Sequence, residues 1–409
     1  MNNFDIIIIG AGNAGLTMAA ALPPNLQIAI IDHQPKNNFS AAPKNDGRKI
    51  ALNYGSKLIL DEFNLWSTLA PHATPITQVH ISQQGHFGAT RLTAIENNTP
   101  ALGYVVAAEF LSQALQTQTA TQKNISWFYS TQLLNLENTA VSVQHEDTKK
   151  TLTAKLIIAA DGAQSHCRQL LDIKAVTVDY KQSALITRVK LKIKNSNIAY
   201  ERFLRDGTLA LLPMQDDYYA VVWMAKFDKI AALKALTDHE LLIEIQKNFG
   251  YRLGRFGDIE QRFYYPIRSI IANTQIKNNC VLLGDAAHLL SPVAAQGFNL
   301  TLQDIYCLVN LLAPSPYPLP QAVEGNHEKI LEKYLAERQP EQQKMIKSIN
   351  KLMTMFAAPH FPLTQLRSAG LAILDLSAKN KKNISESFMG LTPRIQKLLR
   401  MRLGSGGNS

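Results

Sequence analysis

The chain has 409 residues, 46% of them hydrophobic and 18% charged, which is enough apolar material for a sizeable core and too much chain for one ordinary domain. Its three cysteines, Cys167, Cys280 and Cys307, include no CxxC pair; this argues against a disulfide framework, a zinc or other metal site and a dithiol redox pair, and fits a reducing cytoplasm. The formal net charge is +10, of which +6 lies between residues 379 and 403, but no helix-turn-helix spacing, zinc knuckle or aromatic-rich RNA-binding strand accompanies it, so nucleic acid is not the expected partner.

In chain order, Asp5–Ile9 is an apolar β-branched run without a basic segment before it, so it reads as a buried strand rather than a leader. Ala14–Leu22 is rich in Ala and Leu and stops at Pro23-Pro24, as a helix does. Gln27–Ile31 is a second buried strand ending at Asp32, Gln34 to Arg48 reads as a loop, and Ser56 to Leu69 has helical spacing. Leu156–Ala160 is another buried strand and runs into Asp161-Gly162. From about Ser183 to Met224 the period becomes two: Val189, Leu191 and Ile193 alternate with Lys190, Lys192 and Lys194, which predicts strands with one wet face. Cys280–Leu283 is a buried strand before Gly284-Asp285, and helical patterns run from Phe298 onward. No stretch reaches the roughly 18 apolar residues that a membrane-spanning helix needs.

Three of these strands end in motifs with chemical content. Gly10-Ala-Gly12-Asn-Ala14-Gly15 follows a strand and opens a helix. In such a turn the first glycine permits the bend, the second admits a pyrophosphate and the third lets helix pack on strand. Asp32, some 20 residues on, is placed to accept hydrogen bonds from ribose hydroxyls. Strand, turn, helix and acid agree on a dinucleotide, without separating FAD from NAD. Asp161-Gly162-Ala-Gln-Ser165-His-Cys-Arg168 again follows a strand, although alone it reads equally well as a turn and helix cap. Gly284-Asp285-Ala-Ala-His288 is the third; Asp285 suits ribityl hydroxyls, and the following Pro292 and Gln296-Gly297-Phe298-Asn299 can open a helix towards developing negative charge. His288 itself reads as a structural hydrogen-bonding group rather than a base.

The order GxGxxG, DGxxSxxR, GDAAH…P…QGxN resembles the class A flavoprotein monooxygenases with the para-hydroxybenzoate hydroxylase fold. That resemblance implies a Rossmann-like α/β FAD-binding domain interleaved with an antiparallel-sheet substrate domain, and a helical C-terminus. It implies Gly10, Gly12, Ala14, Gly15 and Asp32 for the ADP part of non-covalent FAD, and Asp161, Ser165 and Arg168 for FAD and a transient NADH or NADPH. Gly284, Asp285, Pro292, Gln296, Gly297, Phe298 and Asn299 are implied for the flavin. No second GxGxxG exists for the reductant. Finer features resemble the ubiquinone-biosynthesis hydroxylases: Gly47-Arg48-Lys-Ile-Ala51-Leu52, whose arginine is implied at the cofactor, Phe203 to Pro213, and the tail from Phe356 to Leu391. The expected boundaries are 1–75, 100–180 and 275–340 for FAD binding, 76–99 and 181–274 for substrate, and 341–409 for the C-terminal helices.

The expected activity is hydroxylation of the aromatic ring of a polyprenylated phenol, with NAD(P)H and O2. The alternatives are another aromatic substrate, or a non-catalytic FAD-binding subunit of a biosynthetic complex. Leu211, Pro213 and Trp223, with Leu209, could wall an apolar substrate pocket, with core packing an equal reading, and no general base stands out. In the tail, Ile395, Leu398 and Leu399 share a helical face amid basic residues; such a helix either lies on anionic lipid at the inner membrane face or packs on protein, including a second subunit.

Overall fold

In the computed structural model the described residues are 2–36, 38, 47–86, 88–194, 196–292, 296–312, 327–357 and 378–405. The chain divides into two compact units, 1–44 with 109–178 and 268–349, and 45–108 with 179–267 and 350–409.

The first unit is built on a sheet in the order Ile276–Lys277, Cys280–Leu282, Thr148–Ala159, Asn3–Ile9, Ile28–Ile31, Ile125–Phe128. All neighbours are parallel except the terminal Ile276–Lys277 pair. A parallel sheet covered on both faces demands continuous apolar strands, and Ile6 to Ile9 and Ile28 to Ile31 are at most 5% exposed. The early part of Thr148–Ala159 also pairs antiparallel with Ala140–His145, which pairs with Thr131–Glu137. The predicted first helix spans Asn13–Ala21 and packs on a helix at Gln296–Leu312.

Register is what gathers the motifs. Ile9 is the cross-strand partner of both Ala159 and Ile31, and Ala159 is the partner of Leu282. Each of these four residues is at or next to a strand's carboxyl end, so Gly10, Asp161, Gly284 and Asp32 follow along one edge. Ligands of doubly wound sheets bind at this edge.

The second unit holds a sheet ordered Phe256–Ile259, Ala175–Leu191, Tyr218–Lys226, Gly207–Pro213, Ile198–Leu204, Gln78–Gln83, Ala89–Thr93, largely antiparallel. Alternation assigns the faces. Leu209, Leu211, Val221 and Trp223 form a core with Ile230, Leu233, Leu241 and Ile245 of helices Phe227–Ala235 and Asp238–Phe249. Thr237 and Glu240 make a capping box that fixes the start of the second helix. Trp223 is 1% exposed; complete burial of a large side chain contributes about 1.5–3 kcal/mol. The predicted alternation holds to Leu191 and then ends, leaving Ile193 51% exposed in a bend.

The structure departs from the expectations in three places. The helix expected from Ser56 to Leu69 is two, Tyr54–Glu62 and Trp66–Leu69, because Asn64 takes a left-handed φ of 58° between them. Residues 45–75, expected with the FAD-binding domain, group with the second unit, where Lys49–Asn53 and Thr74–Ile76 both pair with Gly103–Ala107. The C-terminal region beyond residue 349 belongs to that unit as well: Gly390 abuts Asn53, and Lys381 Nζ lies 2.8 Å from Glu96 Oε1. Of the tail expected from Phe356 to Leu391, residues 358–377 lie outside the described residues, as does most of the Gln34–Arg48 loop.

Candidate active site

The first turn is closed by backbone. A Cβ at Gly10 (φ 101°) would sit 2.4 Å from the Ala160 carbonyl oxygen, and one at Gly15 would sit 2.0 Å from that of Gly10. A Cβ at Gly12 would meet nothing within 4 Å. Gly10 and Gly15 therefore make the turn, while Gly12 keeps one side of it open. No side chain caps the Asn13–Ala21 helix, so its first N–H groups and dipole suit a pyrophosphate. Asp32 stands beside it at 9% exposure: Oδ2 accepts from the Ala11 N–H at 2.6 Å and Oδ1 from the Gln34 N–H at 2.8 Å. Two carboxylate oxygens retain lone pairs beyond these two bonds, so ribose hydroxyls can still donate to it.

In the second motif Asp161 Oδ2 accepts from the Cys167 N–H at 2.9 Å, while its buried Oδ1 has no partner. A buried carboxylate oxygen without a donor is costly, and a hydroxyl or N–H from a nucleotide would satisfy it. Ser165 caps its helix by accepting from the Arg168 N–H. Arg168 does not present its charge to solvent: its guanidinium donates to the Ala286 carbonyl at 2.9 Å and to the Ala163 carbonyl at 2.9 Å, at 8% exposure. It ties the second motif to the third. Burial, then the Asp161 charge, hold the Cys167 thiol well above its ordinary pKa, which leaves it an inert packing group.

In the third motif Gly284 (φ 63°) brings its backbone within 2.9 Å, by a notional Cβ, of Ala14. Asp285 is exposed at the start of a short helix, and Pro292 is exposed beyond it. Gln296 and Asn299 are buried at the opening of the Gln296–Leu312 helix, and Gln296 Oε1 has no partner. A side chain at Gly297 would meet nothing within 4 Å, and Phe298 is half-buried. Ala295, with residues 293 and 294, lies outside the described residues. The open cradle at Gly12, the uncapped helix, and the orphaned oxygens of Asp161 and Gln296 on one sheet edge fit an extended dinucleotide.

His288 is accounted for by structure. Its Nε2 lies 2.8 Å from Asp304 Oδ2, both fully buried, and Asp304 Oδ1 accepts from Arg338 Nε at 2.7 Å and from Gln342 Nε2 at 2.9 Å. Burial alone would raise the Asp304 pKa; Arg338 and His288 outweigh it, and the carboxyl is held below its ordinary value. Sequence reading missed Asp304 and Arg338, 16 and 34 residues from their partners; a lone Asp in the apolar run of Gln296–Leu312 was the available signal. Of the expected pocket residues, Leu209, Leu211 and Trp223 lie in the helix-covered core, and Pro213 is buried beside Tyr219. Arg48 is exposed and belongs to the second unit, as does the small cavity lined by its neighbours Gly47 and Lys49 with Thr187, Arg188, Glu260 and Phe263.

The FAD binding domain family matches residues 3–348 of the chain. The chain belongs to that family. It is an FAD-dependent aromatic-ring monooxygenase. Over 402 residues it is 28% identical to ubiquinone hydroxylase UbiL of Rhodospirillum rubrum, covering 97% of this chain and 92% of that protein. It is 25% identical to 3-demethoxyubiquinol 3-hydroxylase of Escherichia coli, covering 95% and 98%. Among solved structures, p-nitrophenol 4-monooxygenase PnpA from Pseudomonas putida shares the fold, with a TM-score of 0.75 at 15% identity over 95% of this chain and 98% of that one. The monooxygenase reading of the chain therefore stands.

Proposed function

We propose that this monooxygenase hydroxylates the aromatic ring of a polyprenylated phenol in ubiquinone biosynthesis, with NADH or NADPH as reductant. The observation that carries the reading is similarity along nearly the whole chain to two proteins named ubiquinone hydroxylases and to one named 3-demethoxyubiquinol 3-hydroxylase. Bound FAD supplies the redox chemistry and the activation of O2. The protein's part is to hold it: Gly12 and the uncapped helix receive the pyrophosphate, Asp32 the ribose, Asp161 and Asp285 further hydroxyls, and the Gln296–Asn299 turn the flavin end. Arg48 is assigned to the cofactor by resemblance only. Arg168 and Ser165 hold the cradle's shape rather than a ligand. An arginine bonded to two carbonyls and only 8% exposed presents little of its guanidinium to a visiting nicotinamide nucleotide.

A substrate with a long apolar tail places the enzyme at a membrane surface on the cytoplasmic side, although among the described residues no helix is long and apolar enough to cross one. The tail helix gives little support for insertion: Ile395 is 1% and Leu398 7% exposed, packed near the Tyr54–Glu62 helix of the same unit. Among the described residues of this helix, Ile395 and Leu398 are used within the chain, and Lys397 is exposed for lipid headgroups.

The test is quinone-intermediate profiling of a deletion strain by mass spectrometry, with oxygen uptake by the purified enzyme on prenylated phenols. Accumulation of one under-hydroxylated prenylphenol is expected and names the ring position. An unaltered quinone pool would remove the assignment, and would favour another phenol as substrate.

A further inference from the structure

The face of the second sheet turned away from its helices carries one carboxyl group in apolar surroundings. Glu201 sits in a cross-strand rung whose register partners run Ile81, Glu201, Ala210, Val222, Ile186. The flanking rung is Gln83, Phe203, Thr208, Met224, Ala184. Ile81, Ile186, Leu212 and Val222 are only half-buried, in contrast with the sealed Leu209, Leu211, Val221 and Trp223 on the other face. Apolar surface thus remains available in the row that holds the carboxyl. Glu201 Oε1 is itself buried and closes no well-formed hydrogen bond, the nearby Thr208 hydroxyl being the one protein donor that acts on it, so the carboxyl still has accepting capacity for a hydroxyl of a ligand. We infer that Glu201 takes the proton from the phenolic hydroxyl of the substrate, whose ring and tail lie on the apolar row around it. This rests on the phenol-hydroxylase reading above.

The chemistry is a single proton transfer. The phenol O–H bond breaks, its electron pair stays on the phenol oxygen, and the proton goes to Glu201 Oε1, turning a carboxylate into a carboxylic acid. Loss of the proton raises the electron density of the ring, and it is this density that the ring gives up when it is oxygenated, which is when a base is needed. Burial raises the Glu201 pKa to about 7, with the Thr208 hydroxyl pulling the other way. The acid and base forms are then both accessible near neutral pH, as a general base requires. No charged group contributes to that shift. On this face the neighbouring strands offer Arg188, already paired with Glu260, Lys190 over the Tyr218 ring, and Lys226 at the strand end, while Gln78–Gln83 and Gly207–Pro213 present no charged side chain there.

The experiment uses the FAD-loaded full chain, 2-prenylphenol and a fluorinated series of it with increasing acidity. Wild type hydroxylating none of them would sink the phenol reading itself, and this inference with it. Given wild-type turnover, E201Q is expected to lose about 10²–10⁴-fold in kcat, to lose the limb of the pH profile that falls below about 7, and to recover progressively as the phenol becomes more acidic. E201D should keep the limb at reduced kcat. An infrared band from a protonated carboxyl that titrates near neutrality in wild type should be absent in E201Q. A limb retained in E201Q, or a constant loss across the fluorinated series, overturns the assignment, because a carboxyl that only supports the sheet has no reason to follow phenol acidity.

Discussion

His288 and Asp304 meet at 2.8 Å with both side chains fully buried, the histidine from the end of the short helix Asp285–His288, the aspartate from the helix that begins at Gln296. The contact ties together the two elements that flank residues 289–295. Arg338, 4% exposed in its side chain, depends on the same carboxylate.

Removing that carboxylate takes from the buried Arg338 guanidinium its one buried counter-charge among the described residues and leaves it with Glu341, which is partly exposed. Asp304→Asn is therefore expected to destabilise the protein by about 3–5 kcal/mol, read from chemical denaturation of the FAD-free chain. Because the Asp304 pKa is held below its ordinary value, the carboxyl's contribution is complete above the unfolded-state pKa and disappears as pH falls through the folded one. A D304N chain with wild-type stability at neutral pH would mean that Glu341 alone compensates the Arg338 charge.

The glycines of the first turn separate folding from binding. Gly15→Ala forces a Cβ to 2.0 Å from the Gly10 carbonyl oxygen, so the turn itself must open, and poor folding with no FAD retained is expected. Gly12→Ala meets no protein atom within 4 Å. It should fold normally and lose only pyrophosphate contacts, about 1.5–3 kcal/mol, or roughly 10–150-fold in FAD affinity. Quenching of FAD fluorescence on titration reads both. Unchanged affinity in G12A would place the pyrophosphate elsewhere.

Arg168 distinguishes a clamp from a ligand. Bonded to the Ala163 and Ala286 carbonyls, it should cost about 2–3 kcal/mol of stability on replacement by alanine, from two buried carbonyls left unsatisfied and a charge-assisted bond lost. KM for NAD(P)H is expected to change little in Arg168→Lys, where one of the two bonds survives. A large rise in that KM with wild-type thermal stability would return Arg168 to the reductant.

Much of the first sheet was legible because its strands are continuous apolar runs and its motifs sit at their ends; Ile6–Ile9, Ile28–Ile31 and Ile157–Ala159 needed only pattern to be found. Register was not legible, yet it is register that puts Gly10, Asp161 and Gly284 on one edge. Leu211 and Trp223 show the limit in the second sheet. Period two says that faces alternate, but it does not say which face the helices cover, and the expected pocket wall proved to be core. The role of Arg168 was hidden for a related reason, since a guanidinium's partners here are carbonyls of residues whose side chains carry no signal.

His80 supplies a pH dependence with a definite sign. Burial first, then the Arg252 and Arg91 charges, lower its pKa to about 4, and Arg252 approaches its ring at 3.3 Å. The unfolded chain, with an ordinary imidazole near 6.5, then binds more protons than the folded one between those values. Stability from this site is complete above about pH 6.5 and is lost as pH falls towards 4. Replacement by Gln should flatten the decline of the melting temperature over that interval while leaving stability at pH 8 within about 1 kcal/mol. Arg252→Ala should raise the His80 pKa, read directly from the imidazole proton resonances across a pH titration. If the resonance midpoint stays in place in R252A, burial alone holds the ring neutral, and the arginine is only a neighbour.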